Sequence, residues 1–286
     1  DLTFKGYFLD TRLRPKDEVA QMVENIKRDI RETRPRFVFT IDDAAFAMLY
    51  QEVLQYPEIK LVFTGLNRQL DFYDAKADFL DQRRPAANIT GVFEYLFMRE
   101  QFELLEAILE RPLNKVAIFH STDTIGGILR DQILDELANT PYAEQVVVYA
   151  AEDVPDMIEK AQQINADADI DAYIPVTMSL YDPAEDERKT MKDLAPILTR
   201  HISKVDLALN DSFAAYGFFG GVSIDFYQMG FQSGFLATKL LKGGDITQMD
   251  IEDARRSIVA INRTRLRELG MTISPDLQSV VDKWID

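Results

Sequence analysis

The chain has 286 residues, long for one ordinary domain and enough for two compact ones with sizeable cores. Its 32 basic and 48 acidic residues leave a formal net charge of −16, which disfavours nucleic acid and anionic membrane surfaces as partners. Cysteine is absent, which removes disulfide frameworks, thiolate nucleophiles and cysteine metal sites.

The chain opens on "DLTFKGYFLD", which reads as a strand and not as a signal peptide. A helix of period 3.6 is expected over 16–33, then the strand "RFVFTID", the helix "AAFAMLYQEVL" and the strand "KLVFTGLN". A polar, aromatic-rich loop covers 68–87, and the strand "NITGVFE" and the helix "LFMREQFELLEAILE" follow. "NKVAIFHS" begins a second series. Helices are expected over 126–139, 155–166 and 185–202, alternating with the strands "QVVVYAA", "AYIPVTM" and "VDLALN". "GFFGGVSIDFYQMG" reads as a turn-rich crossing into a helix over 226–242, stopped by Gly243 and Gly244. The strand "SIVAIN", the helix "RTRLRELGM" and a terminal helix after Ser274–Pro275 complete the chain. No apolar run approaches the roughly 18 residues needed to span a bilayer. The βαβα rhythm predicts an α/β fold with parallel, doubly wound sheets. Two such series predict two lobes: 1–91 with about 224–255, and about 92–223 with 256–286.

Most motifs with chemical content fail. His120 and His201 are the two histidines, and no G-x-S-x-G elbow accompanies either. "DADIDAY" over 167–173 lacks the glycine and glutamate of a calcium loop and reads as a solvated turn. There is no P-loop and no G-x-G-x-x-G. What remains is positional. Open parallel sheets bind ligands beyond the carboxyl ends of their strands. Here those ends carry Thr40, Asp42 and Asp43; Thr64, Gly65 and Asn67; Ser121, Thr122 and Thr124; Thr177 and Ser179; and Asn210, Asp211 and Ser212. Singly, many of these residues read as helix N-caps. As a set on both series they predict a ligand cleft.

The stretches "YFLDTR", "TIDDAAF", "LVFTGLN", "NITGVFE", "GFFGGVSIDFYQMG" with "ATKLLKGG", and "IN" followed by "LRELGMTISP" span nearly the whole chain. In that order they resemble the substrate-binding proteins of bacterial ABC importers with a type I periplasmic-binding fold. The branch is the one that binds aromatic amino acids, with its relatives used as extracytoplasmic sensor domains. The resemblance implies two lobes, joined by three crossings, that close on a ligand. It also implies an extracytoplasmic location, no cofactor, and as partner an ABC permease or a fused or associated signalling module. Such proteins open with one further βα unit, so the first βα unit is expected to be missing here. Carried over residue by residue, the ligand-binding set is Asp42, Asp43, Thr64, Gly65, Leu66 and Asn67 from the first lobe, Thr90, Gly91 and Glu94 from the first crossing, and Ser121, Thr122, Thr177 and Asp211 from the second lobe. Acidic side chains favour an ammonium and helix-start amides favour a carboxylate, which points to an amino acid or a similar solute. Phe46, Phe93, Tyr181 and Phe213 would wall an apolar side chain.

Two other readings compete. In one, an α/β enzyme uses Asp42 and Asp43 as an acid/base or metal pair, although neighbouring residues diverge in direction. In the other, a protein-binding scaffold presents the 68–87 loop. Within the doublet, one carboxylate is expected to cap the helix that starts at Ala44 or Ala45, and the other to face the cleft.

Overall fold

The computed structural model describes residues 2–11, 13–74, 79–81 and 84–286. In chain order the elements are α1 (Lys16–Thr33), β1 (Phe37–Ile41), α2 (Asp42–Leu54), β2 (Lys60–Leu66), α3 (Asp71–Asp74), β3 (Leu80–Asp81), β4 (Arg84–Pro85) and β5 (Ile89–Phe93). Next come α4 (Met98–Leu109), β6 (Lys115–Ser121), α5 (Thr124–Leu137), β7 (Val146–Ala151), α6 (Val154–Ala166) and β8 (Ile170–Pro175). Then follow β9 (Ser179–Asp182), β10 (Glu187–Thr190), α7 (Met191–His201), β11 (Val205–Asp206), α8 (Asp211–Ala215) and β12 (Gly220–Ile224). The chain ends through α9 (Phe226–Leu241), β13 (Glu252–Asp253), β14 (Ser257–Asn262), α10 (Arg263–Glu268), α11 (Pro275–Gln278) and β15 (Lys283–Ile285). Two compact units result: Asp1–Tyr95 with Phe226–Arg255, and Leu96–Asp225 with Arg256–Asp286.

The first unit is built on the parallel sheet β1-β2-β5-β13. Alternation along the strands divides its side chains between two layers. Leu61, Phe63, Ile89 and Phe93 pack with α1 and α2 around Phe46, Leu49 and Val53. Val62 and Phe37 face the other way, onto Ala237 and Leu240 of α9. Helix α1 is amphipathic and buries Val19, Val23, Ile26 and Ile30 at the spacing of one helical stripe. Gly91 of β5 lies against Phe63: a Cβ there would stand 2.3 Å from the Phe63 carbonyl oxygen, so the position takes glycine for close strand packing. Among the described residues β1 pairs on one side only, with Phe39 and Ile41 exposed. Tyr227, Phe231 and Phe235, four residues apart on α9, form an exposed aromatic stripe.

The second unit carries the parallel sheet β11-β8-β6-β7 and the mixed sheet β12-β14-β15. Ala117, Phe119 and Tyr173 pack against α6 and α7 through Met157, Ala161, Leu194 and Leu198. Gln101 of α4 ties this unit together. Its amide donates to the Ala208 carbonyl at 3.1 Å and accepts from Val222 N at 2.6 Å. Gly221 (φ +127°) makes room for it, since a Cβ there would stand 2.2 Å from Gln101 Oε1.

Several expected elements differ: the crossing "GFFGGVSIDFYQMG" contains the strand β12, and "VDLALN" is a strand only over Val205–Asp206. "TFKGYFLD" forms no strand, and Phe4 and Phe8 are exposed. The segment is held at the surface by contacts of Lys5 and Tyr7 with Asp29 of α1. The expected helix over 185–202 is half hairpin: β9 and β10 pair antiparallel, and α7 starts only at Met191, behind a capping box of Thr190 and Asp193. Asp186 at φ 53° makes the tight turn that the helical reading passed over. The terminal helix is a single turn, α11, after which β15 joins β14 in parallel.

Candidate functional site

The doublet "DD" lies where β1 meets α2 without a break. Asp42 takes a left-handed backbone, φ 73°, and its Oδ1 accepts the adjacent Asp43 amide at 2.7 Å. Ile41 holds the cap position and no side chain caps the helix, so the expected side-chain cap from the doublet is not formed. Asp43 is buried and reaches across to the end of β2. It accepts Asn67 N at 3.1 Å, Asn67 Nδ2 at 3.1 Å and Arg68 N at 3.0 Å. This carboxylate is a clamp on the turn that follows "FTGLN". These three donors occupy three of the roughly four lone-pair sites a carboxylate offers.

The turn itself is shaped by Gly65, whose φ of +72° favours glycine. A Cβ on Gly65 would come 3.2 Å from Met229 Cε and 3.6 Å from Glu94 Oε2, so Glu94 lies beside the same turn. Glu94 is joined to it through the backbone as well, its amide donating to the Leu66 carbonyl at 2.9 Å. Sequence reading passed over two further neighbours in the 68–87 loop. The Arg68 guanidinium stacks on Phe72, 4.0 Å from the ring centroid. Tyr73 is buried against Phe46, and its hydroxyl is pushed up to about 12, first by burial and then by the charge of Asp43. The run "RQLDFYD" carries both, but nothing in it says which of its polar and aromatic residues turn inward. Part of the expected lid or partner surface, residues 75–78 and 82–83, lies outside the described residues, as does Arg12 of "YFLDTR".

The structure does not bring the rest of the first-unit set to that turn by free polar groups. Thr64 donates to Ser233 Oγ of α9 at 2.6 Å. Leu66 is fully buried. Thr90 pairs with Val62 well inside the sheet, with a buried hydroxyl that has no partner among the described residues. Gly91 serves packing. Of the proposed aromatic walls, Phe46, Phe93 and Phe213 are core, whereas Tyr181 is exposed in the β9–β10 hairpin and bonded to Asp186.

In the second unit, Ser121 ends β6 and donates to Asp123 Oδ2 at 2.9 Å. Asp123 caps α5 by accepting Gly126 N at 2.8 Å. Thr122 is exposed, its amide bonded to the Ala151 carbonyl at 3.0 Å. Phe119 is in register with Pro175 on the parallel strand β8, so Ser121 and Thr177 fall at one end of this sheet. Asp211 opens α8 and holds Lys283 at 2.7 Å. His120 is buried on β6, and burial lowers its pKa below the usual histidine value. His201 closes α7. Among the described residues no group of three or more His, Asp or Glu is placed to hold a metal ion.

Over residues 75–284 the sequence matches the family described as ABC transporter substrate binding protein. The chain belongs to that family. Similar solved structures show the same fold at low identity. One is an ABC domain from Streptococcus pneumonia in complex with L-Trp: 17% identity, TM-score 0.66, covering 93% of this chain and 86% of that one. Another is a ligand-free, open substrate-binding protein with adhesive properties from Clostridium difficile: 14% identity, TM-score 0.68, covering 93% and 83%. A conserved domain protein from Vibrio cholerae is 18% identical, with TM-score 0.66 over 92% and 83%. No curated protein sequence matches. The fold is the type I periplasmic-binding α/β fold, and the family's work is solute binding. No helix among the described residues is long and apolar enough to cross a membrane.

Proposed function

We propose that this ABC substrate-binding family member is an extracytoplasmic bacterial solute-binding protein or sensor domain, and that its ligand is an amino acid or a close analogue. The observation that carries the reading is the Asp43-clamped turn at the end of β2, where Asn67 is buried beside acidic groups at the carboxyl end of a parallel sheet. Ser121, Thr122 and Thr177 form the corresponding polar strand ends of the second unit. The L-Trp held by the Streptococcus protein supports the amino-acid class. An ABC permease, or a fused or associated signalling module, would be the protein partner.

The test is thermal unfolding against the twenty L-amino acids. A ligand at 100 times its Kd stabilises the folded state by about 2.7 kcal/mol. In a protein of this size that raises Tm by several degrees, at roughly 2–4 °C per kcal/mol. At least one amino acid is expected to do so. A flat response across all twenty removes the amino-acid assignment.

A further inference from the structure

Asn67 follows directly on β2 and is 7% exposed. Its amide is oriented by Asp43, which takes Asn67 N, Asn67 Nδ2 and Arg68 N within 3.1 Å. A carboxylate already accepting two backbone N–H groups presents only lone pairs, so the side of the amide turned towards it must be the NH2. The carbonyl Oδ1 is thereby turned away. It is buried and has no hydrogen-bond partner among the described residues. A buried acceptor in that state is met by a donor from outside the chain, a water or a group of the solute.

The surroundings specify the donor. Asp42 and Asp43 are adjacent, and Glu94 lies beside Gly65. The cation nearby, Arg68, is stacked on Phe72. Carboxylates outnumber cations around the turn, so a positively charged donor is favoured over a neutral one. A carboxylate or keto oxygen at the same point would meet Oδ1 lone pair to lone pair.

We infer that Asn67 Oδ1 accepts from a protonated nitrogen of the bound solute, and that Asp43 is the positioning residue that fixes this polarity. The inference rests on the solute-binding reading and deepens it, from an amino-acid-like solute to one whose ammonium is read at this turn.

Matched probes test it in the intact chain: L-tryptophan with 3-(indol-3-yl)propanoate, L-phenylalanine with 3-phenylpropanoate, L-leucine with 4-methylpentanoate, and L-glutamate with glutarate. Calorimetric titration is expected to find at least one amine-bearing member that binds at least about 10-fold more tightly than its amine-free partner. Asn67→Ala is expected to weaken that member about 10- to 100-fold while moving the amine-free partner far less. Asp43→Asn, which lets the amide turn over, is expected to shrink the ratio between the two, a readout that a purely structural role would not move. Circular dichroism melts show which variants fold; should Asp43→Asn unfold, Asn67→Ala carries the test. Equal affinity for both members of every binding pair, or an unchanged ratio in folded Asn67→Ala, overturns the inference and leaves a solute-binding protein. Binding of the amine-free acids alone does the same. Silence from all eight probes together with a flat thermal response to all twenty amino acids sinks the amino-acid reading itself, and the inference with it; where another amino acid responds, it and its amine-free analogue supply the decisive pair.

Discussion

At the scale of single residues, the carboxylate with the clearest structural work is one that sequence reading did not single out. Asp206 of β11 is fully buried and meets Arg265 of α10, itself 5% exposed, with Nη2 at 2.7 Å and Nε at 2.8 Å. The Phe219 amide takes the other Asp206 oxygen, and Arg265 also donates to the Ile202 carbonyl at 2.8 Å. Removing one partner of such a pair strands a charge without water. Arg265→Ala should cost about 3–5 kcal/mol in urea unfolding, and Asp206→Ala in the same chain should recover part of the loss. A double variant no more stable than the single one would show that the two do not act as a pair. Asp42 and Asp43 teach the complement. The sequence announces that the doublet matters, because two acids end an apolar strand. It does not say that Asp43 spends its oxygens on residues 24 and 25 positions downstream, since only the sheet brings β1 and β2 side by side.

At the scale of elements, the long periodic segments were legible. The helix expected over 16–33 is α1, and the strand "SIVAIN" is β14. Their apolar spacing matches one period without competition. The failures are short or ambiguous segments. "TFKGYFLD" is rich in aromatic residues that favour strands but has no strand partner among the described residues, and propensity alone supplies no hydrogen bonds. In 185–202 a charged hairpin arm and a helix share one polar pattern, and the capping box of Thr190 and Asp193 separates them. One inter-element contact gives a pH prediction. Glu136 of α5 accepts Leu96 N at 2.8 Å and Met98 N at 3.2 Å at the start of α4, with Gln132 at 3.0 Å. Burial outweighs those bonds and raises its pKa from 4.5 to about 7. Because the folded value lies above the unfolded one, the stability from this proton is fully present below about pH 4.5 and is lost as pH rises through about 7. The loss is at most about 3 kcal/mol. Glu136→Gln should flatten unfolding free energy against pH across that window; an unchanged slope would move the effect to other groups.

At the scale of the whole molecule, charge is the property read most directly from the sequence. A net −16 repels itself in the compact state. Raising ionic strength from about 10 mM to about 150 mM shortens the screening length from about 30 Å to about 8 Å, so Tm should rise. A fall in Tm would mean that local pairs such as Arg31–Glu52 and Arg111–Asp171 outweigh the net field. The sequence by itself determined the α/β class, most helix and strand positions, the family and the sign of the charge, because periodicity and composition are local or additive. The tertiary structure decides which polar strand-end residues are used in packing, as Thr64 is on Ser233, and which buried acceptors are left without a partner among the described residues, Asn67 Oδ1 among them. That distinction depends on hydrogen-bond partners far apart in the chain, and a carboxylate's type and position are the same whether it clamps a turn or faces a ligand.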